Sequence, residues 1–100
     1  MAGFFSNLFK MKDDADFDAL LANGALLIDV RTRDEYKSGH PKGSLNIPLD
    51  TIPHSLSKIP TNKAVIVVCQ SGMRSKNAAS FLKSKGYTQV YNGGPWFNFG

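Results

Sequence analysis

The sequence predicts an α/β domain built on a parallel sheet with helices on both faces. Two short runs carry that reading, Ala25-Leu26-Leu27-Ile28-Asp29-Val30 and Ala64-Val65-Ile66-Val67-Val68. Each is nearly continuous in apolar residues, as a strand covered on both sides must be. Helical patterns alternate with these runs, and such alternation marks crossovers between parallel strands.

The elements follow in order. Phe17, Leu20 and Leu21 fall on one helical face within residues 16–23, and Gly24 stops that helix. The first apolar strand comes next. Thr32-Arg33-Asp34-Glu35 is a capping-box pattern that opens a short helix closed by Gly39. Ser44 to Pro48 reads as a brief strand. Ile52, Leu56 and Ile59 recur at helical spacing until Pro60. After the second apolar strand, Ser75 to Lys85 reads as a helix with Ala78, Phe81 and Leu82 inward, lysines in its last turn and Gly86 at its end. Gln89-Val90-Tyr91 is a last short strand, and Gly93-Gly94 turns the chain before Trp96.

Composition narrows the class. The 100 residues suffice for one domain, and 42% hydrophobic content argues against disorder. A single cysteine forms no internal disulfide, so a cytoplasmic setting is the expectation. No apolar run is long enough for a membrane span, and the first residues lack the features of a secretory signal. The net charge of +4 comes from scattered lysines and arginines without an aromatic-lined stripe, which speaks against nucleic acid. Phe4, Phe5, Leu8 and Phe9 could dock on this domain, on a second subunit or on a membrane surface, and docking on protein is the expectation.

In parallel α/β sheets the ligand site forms at the carboxyl ends of the strands. Two polar signatures sit there: Asp29-Val30-Arg31, and Cys69-Gln70-Ser71-Gly72-Met73-Arg74-Ser75. A tight strand-to-helix loop turns backbone N–H groups inward as an anion-holding nest. Gly72 supplies a positive φ, Ser75 is expected to cap the helix, and Arg74 adds a charge. A thiol at the lip of such a bowl is acidified towards the thiolate. A lone cysteine beside four aliphatic residues is more often a core residue. Here it ends the strand and meets a polar loop and a basic residue at once, which favours a nucleophile. Asp29 and Arg31 read equally well as an ordinary strand-end pair or as supports of the loop, Asp29 accepting from loop amides or Arg74. His40 and His54 read as structural or exposed, with no third group to orient either as a base. Trp96, Phe97 and Phe99 read as packing the chain end.

Residues 27–49, Leu-Ile-Asp-Val-Arg through Gly39-His40 to Asn46-Ile47-Pro48, resemble the first signature of the rhodanese family. Residues 67–87 resemble its active-site segment, and Gly93-Gly94-Pro95-Trp96 its closing motif. Pro41 and Ser44 depart from the pattern, where the family prefers an apolar residue and often alanine. The likeness is to single-domain thiosulfate sulfurtransferases and covers about residues 16 to 97, with residues 1–15 as an N-terminal extension to a domain of residues 16–100. It implies a central, mostly parallel five-stranded sheet flanked by helices on both faces. It also implies that Cys69 takes a sulfane sulfur from thiosulfate or another donor as a persulfide. Residues Gln70, Ser71, Gly72, Met73, Arg74 and Ser75 bind the substrate in that reading. The acceptor is cyanide, a thiol or a protein, and no metal or organic cofactor is required. The implied state is a monomer or weak homodimer, with no nucleic acid or membrane partner.

Two alternatives stay open. One is a sulfur carrier or binding module whose donor and acceptor are proteins. The other is a cysteine phosphatase or arsenate reductase of related fold. The phosphatases place five residues between Cys and Arg, usually with His before the Cys. Four residues separate Cys69 from Arg74 and Val68 precedes it, which makes a smaller bowl suited to a sulfur atom.

Overall fold

The computed structural model describes residues 11–100. The aromatic residues Phe4, Phe5 and Phe9, with Leu8, and the docking expected of them lie outside the described residues.

The two apolar runs form the centre of the sheet. Strand β1 is Leu26–Asp29 and β3 is Val65–Cys69. They pair in parallel, Asp29 opposite Val68. Strand β2, Leu45–Asn46, flanks β1, and β4, Val90–Pro95, flanks β3. The order is β2-β1-β3-β4 and all three pairings are parallel. Alternation along β3 sends Val65, Val67 and Cys69 to one face and Ile66 and Val68 to the other.

Helix α1, Phe17–Ala22, covers the Ile66 face with Leu20 and Leu21, and Phe17 meets Phe99 edge-on at 5.4 Å. Its cap is Asp16, whose carboxylate accepts from Ala19 N at 3.0 Å. Helix α2, Arg33–Lys37, starts at the capping box read from the sequence. Helix α3, Met73–Ser84, covers the opposite face. Its Ala78 and Ala79 are small enough to bring the helix close to the sheet, and fully buried Leu82 adds about 2–3 kcal/mol of apolar stabilisation. The 3₁₀ turns Leu49–His54 and Leu56–Lys58 complete that face, and Trp96–Phe99 forms a third.

Three expectations are corrected. Ile52 and Leu56 lie on two separate 3₁₀ turns, with Ile59 extended just after the second, instead of one helix, because Pro53 sits inside the first and lacks the N–H that an α-turn needs. Strand β4 runs through Gly93-Gly94-Pro95 instead of turning there. The sheet has four strands among the described residues, not five. At its β4 edge Asp13 N donates to Asn92 O at 2.8 Å, while the Asp13 carboxylate accepts from Asn92 N at 2.8 Å. A side chain thus takes the N–H that a further strand would have used. Among the described residues no helix is long and apolar enough to cross a membrane.

Candidate active site

Cys69 closes β3 and α3 begins at Met73, so three residues make the turn. Gly72 stands at φ +102°, and a Cβ there would lie 2.1 Å from the Met11 carbonyl oxygen. Both facts demand glycine, and together they draw the loop tight over the thiol. Gly72 N donates to Cys69 Sγ at 3.0 Å and Ser75 N at 3.4 Å. The sulfur therefore sits at the focus of loop amides at the start of a twelve-residue helix. Cys69 retains no exposed surface, while Gln70, Ser71 and Met73 on the lip are exposed.

Ser75 does not cap α3. Gly72 occupies the cap position without a side-chain bond, because the helix starts two residues earlier than the sequence suggests. Ser75 is turned inward and fully buried, its Oγ 3.4 Å from Cys69 Sγ. The same oxygen lies 2.6 Å from Asn92 Oδ1 and 3.1 Å from Gly72 O. A hydroxyl has one proton to place among these acceptors, so it is free to turn to the sulfur when the thiol ionises.

Asn92 carries no signal of a site role in the sequence, where it only precedes two glycines. It is the buried hub behind the loop. Its amide donates to Met11 O and Gly72 O, both at 3.1 Å, and its oxygen also accepts from Gly94 N at 3.0 Å. The register of β4 against β3 slips between Val67 and Val68, so the strand bulges just past Asn92.

Arg74 does not lean over the bowl. Nη1 and Nη2 donate to Glu35 Oε1 and Oε2 at 2.7 and 2.9 Å. Asp29 touches neither the loop amides nor Arg74. Its carboxylate accepts from Arg31 N and Nε at 3.0 Å and from Nη2 at 2.7 Å, within a fully buried strand end. The support is indirect. Arg31 stacks over the Trp96 ring at 4.4 Å, and Trp96 Nε1 donates to Gln70 Oε1 at 3.1 Å. Asn46 fixes the same corner, its amide donating to Asp29 O and Arg31 O at 3.0 Å. His40 accounts for itself locally, stacked on Tyr36 at 3.7 Å with Nδ1 against Tyr36 O. His54 is exposed. Beside the loop lies a cavity of about 390 Å³ lined by Val30, Thr32, Pro48, Leu49, Asp50 and Arg74. Among the described residues no group of three or more His, Cys, Asp or Glu is placed to hold a metal.

Burial pushes the Cys69 thiol up, and hydrogen bonds from the Ser75 hydroxyl and the amides of Ser75, Gly72 and Ser71 outweigh it, leaving the pKa lowered. The thiolate fraction is expected to titrate below the free-cysteine value of about 8.5. Thiolate ultraviolet absorbance against pH, with Cys69→Ser as blank, checks this. A midpoint at or above that value contradicts the geometry.

Residues 13–94 match the family described as Rhodanese-like domain. The chain is 43% identical over 68 residues to the Bacillus subtilis protein YqhL, covering 68% of this chain and 54% of that protein. It is 32% identical to the thiosulfate sulfurtransferase GlpE of Pseudomonas savastanoi, covering 84% of this chain and 79% of the relative. It superposes on the crystal structure of reduced Bacillus anthracis CoADR-RHD with a TM-score of 0.77 and 38% identity, over 94% of this chain and 17% of that one. The chain thus spans about half the length of the first of these relatives and a small part of the last.

Proposed function

The chain belongs to the rhodanese-like domain family, and from that premise we propose that it is a sulfurtransferase in which Cys69 carries a sulfane sulfur from donor to acceptor. The observation that carries this reading is the convergence of the Gly72 and Ser75 amides on Cys69 Sγ. The thiolate attacks the outer sulfur of thiosulfate. A new S–S bond forms, the old one breaks, and sulfite leaves with the electron pair. The persulfide that results keeps one negative charge, placed among preorganised N–H donors of residues 70–75. A thiolate or cyanide then attacks the terminal sulfur, and the Cys69 thiolate leaves unchanged. The residues Ser71 and Met73 form the exposed lip that a donor displaces to reach the covered sulfur. Arg74 stands beside the loop with Cys69 within its electrostatic reach, its charge shared with Glu35. The setting proposed is the cytoplasm, where a single thiol stays reduced.

A sulfur carrier with a protein acceptor is the second reading. It is favoured by two large apolar side chains, Met73 and Phe97, which are 52% and 57% exposed. Met73 lies on the lip, and Phe97 packs on Trp96, which binds Gln70. The experiment for both is intact mass after brief exposure to thiosulfate. One added sulfur, removed by a small thiol or cyanide, is the expected result. No addition with any sulfane donor overturns both readings.

A further inference from the structure

Glu35 and Arg74 lie 39 positions apart in sequence, yet they form a bidentate pair at 2.7 and 2.9 Å. Glu35 is held for that task. Its Oε1 also accepts from Thr32 N at 3.0 Å and Thr32 Oγ at 3.1 Å, the capping box of α2. The two side chains are 35% and 34% exposed, so the pair lies at the surface where a donor arrives. Arg31, a second cation at this corner, is already committed to Asp29 and the Gly39 carbonyl. Neither of these two arginines therefore offers an arriving dianion an uncompensated charge. The cavity next to Arg74 is walled by Val30, Pro48 and Leu49, which suits an organic stem better than a sulfonate.

We propose that Glu35 is a specificity-determining positioning residue: by engaging Arg74 it disfavours doubly charged inorganic donors such as thiosulfate and favours thiol persulfides, whose leaving group is a singly charged thiolate with an apolar stem. The proposal rests on the sulfur-transfer reading. The balance is simple. From a persulfide, Cys69 thiolate takes the terminal sulfur, the donor S–S bond breaks, and the donor thiolate leaves with the electron pair. The pair is present throughout the working pH range. Hydrogen bonds from Arg74 first and the Thr32 amide second hold the Glu35 carboxyl down to about 2. Its contribution is complete above the ordinary glutamate range and is lost only as pH falls towards that value.

The test is steady-state kinetics of the wild type, Glu35→Gln, Arg74→Ala and the double variant, with thiosulfate and with the persulfide of a simple uncharged alkyl thiol as donors. Glutamine keeps the capping-box contacts, so the helix start survives. Glu35→Gln should lower KM for thiosulfate about fivefold, with kcat and the persulfide KM little changed, since a partly exposed pair is worth up to ~1 kcal/mol. In the Arg74→Ala background the same change should do nothing. Equal shifts for both donors, an effect that persists without Arg74, or an unchanged thiosulfate KM overturns the proposal. Thiosulfate binding by calorimetry, in Cys69→Ser protein with and without Glu35→Gln, separates this from the reading beneath it. Tighter binding by Cys69→Ser, Glu35→Gln than by Cys69→Ser, with no sulfur transfer by wild type, sinks the transfer reading and leaves the role of Glu35 standing. Transfer by wild type with unchanged binding sinks the role of Glu35 alone.

Discussion

Cys69→Ser is expected to lose sulfur transfer down to background, a fall of about a thousandfold or more, because no other group in the loop becomes a covalent carrier. Serine is nearly isosteric, and its oxygen meets the same donors that now face the sulfur, Gly72 N and Ser75 N. The fold should therefore persist, with the thermal midpoint within about 5 °C, equivalent to ~1 kcal/mol for a domain of this size. The variant should add no sulfur on exposure to thiosulfate. Turnover that survives the substitution, or a sulfur found on the variant, ends the persulfide mechanism. An unfolded variant would instead show that the thiol is first a core residue, the reading its place in the hydrophobic cluster invites.

Both readings of Cys69 draw on the same geometry. The residue alternates with Val67 and Val65 onto the α3 face and is as buried as they are. What sets it apart is not burial but its partners. An ordinary core cysteine has no amides aimed at it, whereas here three neighbouring loop residues donate from the main chain or lie poised to. The tightness of that shell comes from Gly72, which no other residue replaces against the Met11 carbonyl. The loop is thus held by contact on both sides: amides within and the chain segment of Met11 behind.

The parts of this arrangement legible in the sequence are those set by local pattern. Two short, nearly continuous apolar runs read as central strands, and they pair as such. Thr32 and Glu35 at capping-box spacing do form that box. What stayed hidden depends on neighbours far along the chain. Glu35 reads as a cap because three residues of sequence suffice to show it. Its hold on Arg74 requires α2 to stand beside the start of α3. Asn92 is invisible for a related reason. A β-bulge and the passage of Met11 and Asp13 along β4 make Asn92 the hub that joins Gly72, Ser75 and the preceding chain. The Ile52, Leu56 and Ile59 spacing misleads because it suits an α-helix, while Pro53 makes that helix impossible. The pairing of Arg74 is hidden too, because a charge next to a bowl looks free until its counter-charge is found.

Asp29→Ala is expected to be the most destabilising single change at the site. Asp29 is 0% and Arg31 3% exposed, so the alanine variant leaves a guanidinium buried with only the Gly39 carbonyl and the Trp96 ring. Removing one partner of such a pair costs about 3–5 kcal/mol, because the remaining charge loses its compensation without regaining water. For a domain of this size that is a fall in thermal midpoint of about 12 °C or more. Activity in the folded fraction should fall too, since Arg31 positions Trp96 and Trp96 holds Gln70 on the lip. The cause is testable apart from the effect. If the cost is an unpaired charge and not lost packing, the double variant Asp29→Leu, Arg31→Met should be more stable than Asp29→Ala, since well-packed apolar residues often replace a buried pair with little loss. The double variant should still lose the hold on Trp96 and so recover stability without recovering activity. Thermal unfolding and sulfur transfer measured on the same three proteins decide it. A double variant no more stable than the single one would show that Asp29 is needed for the shape of the strand end, through Arg31 N, and not for the charge it balances.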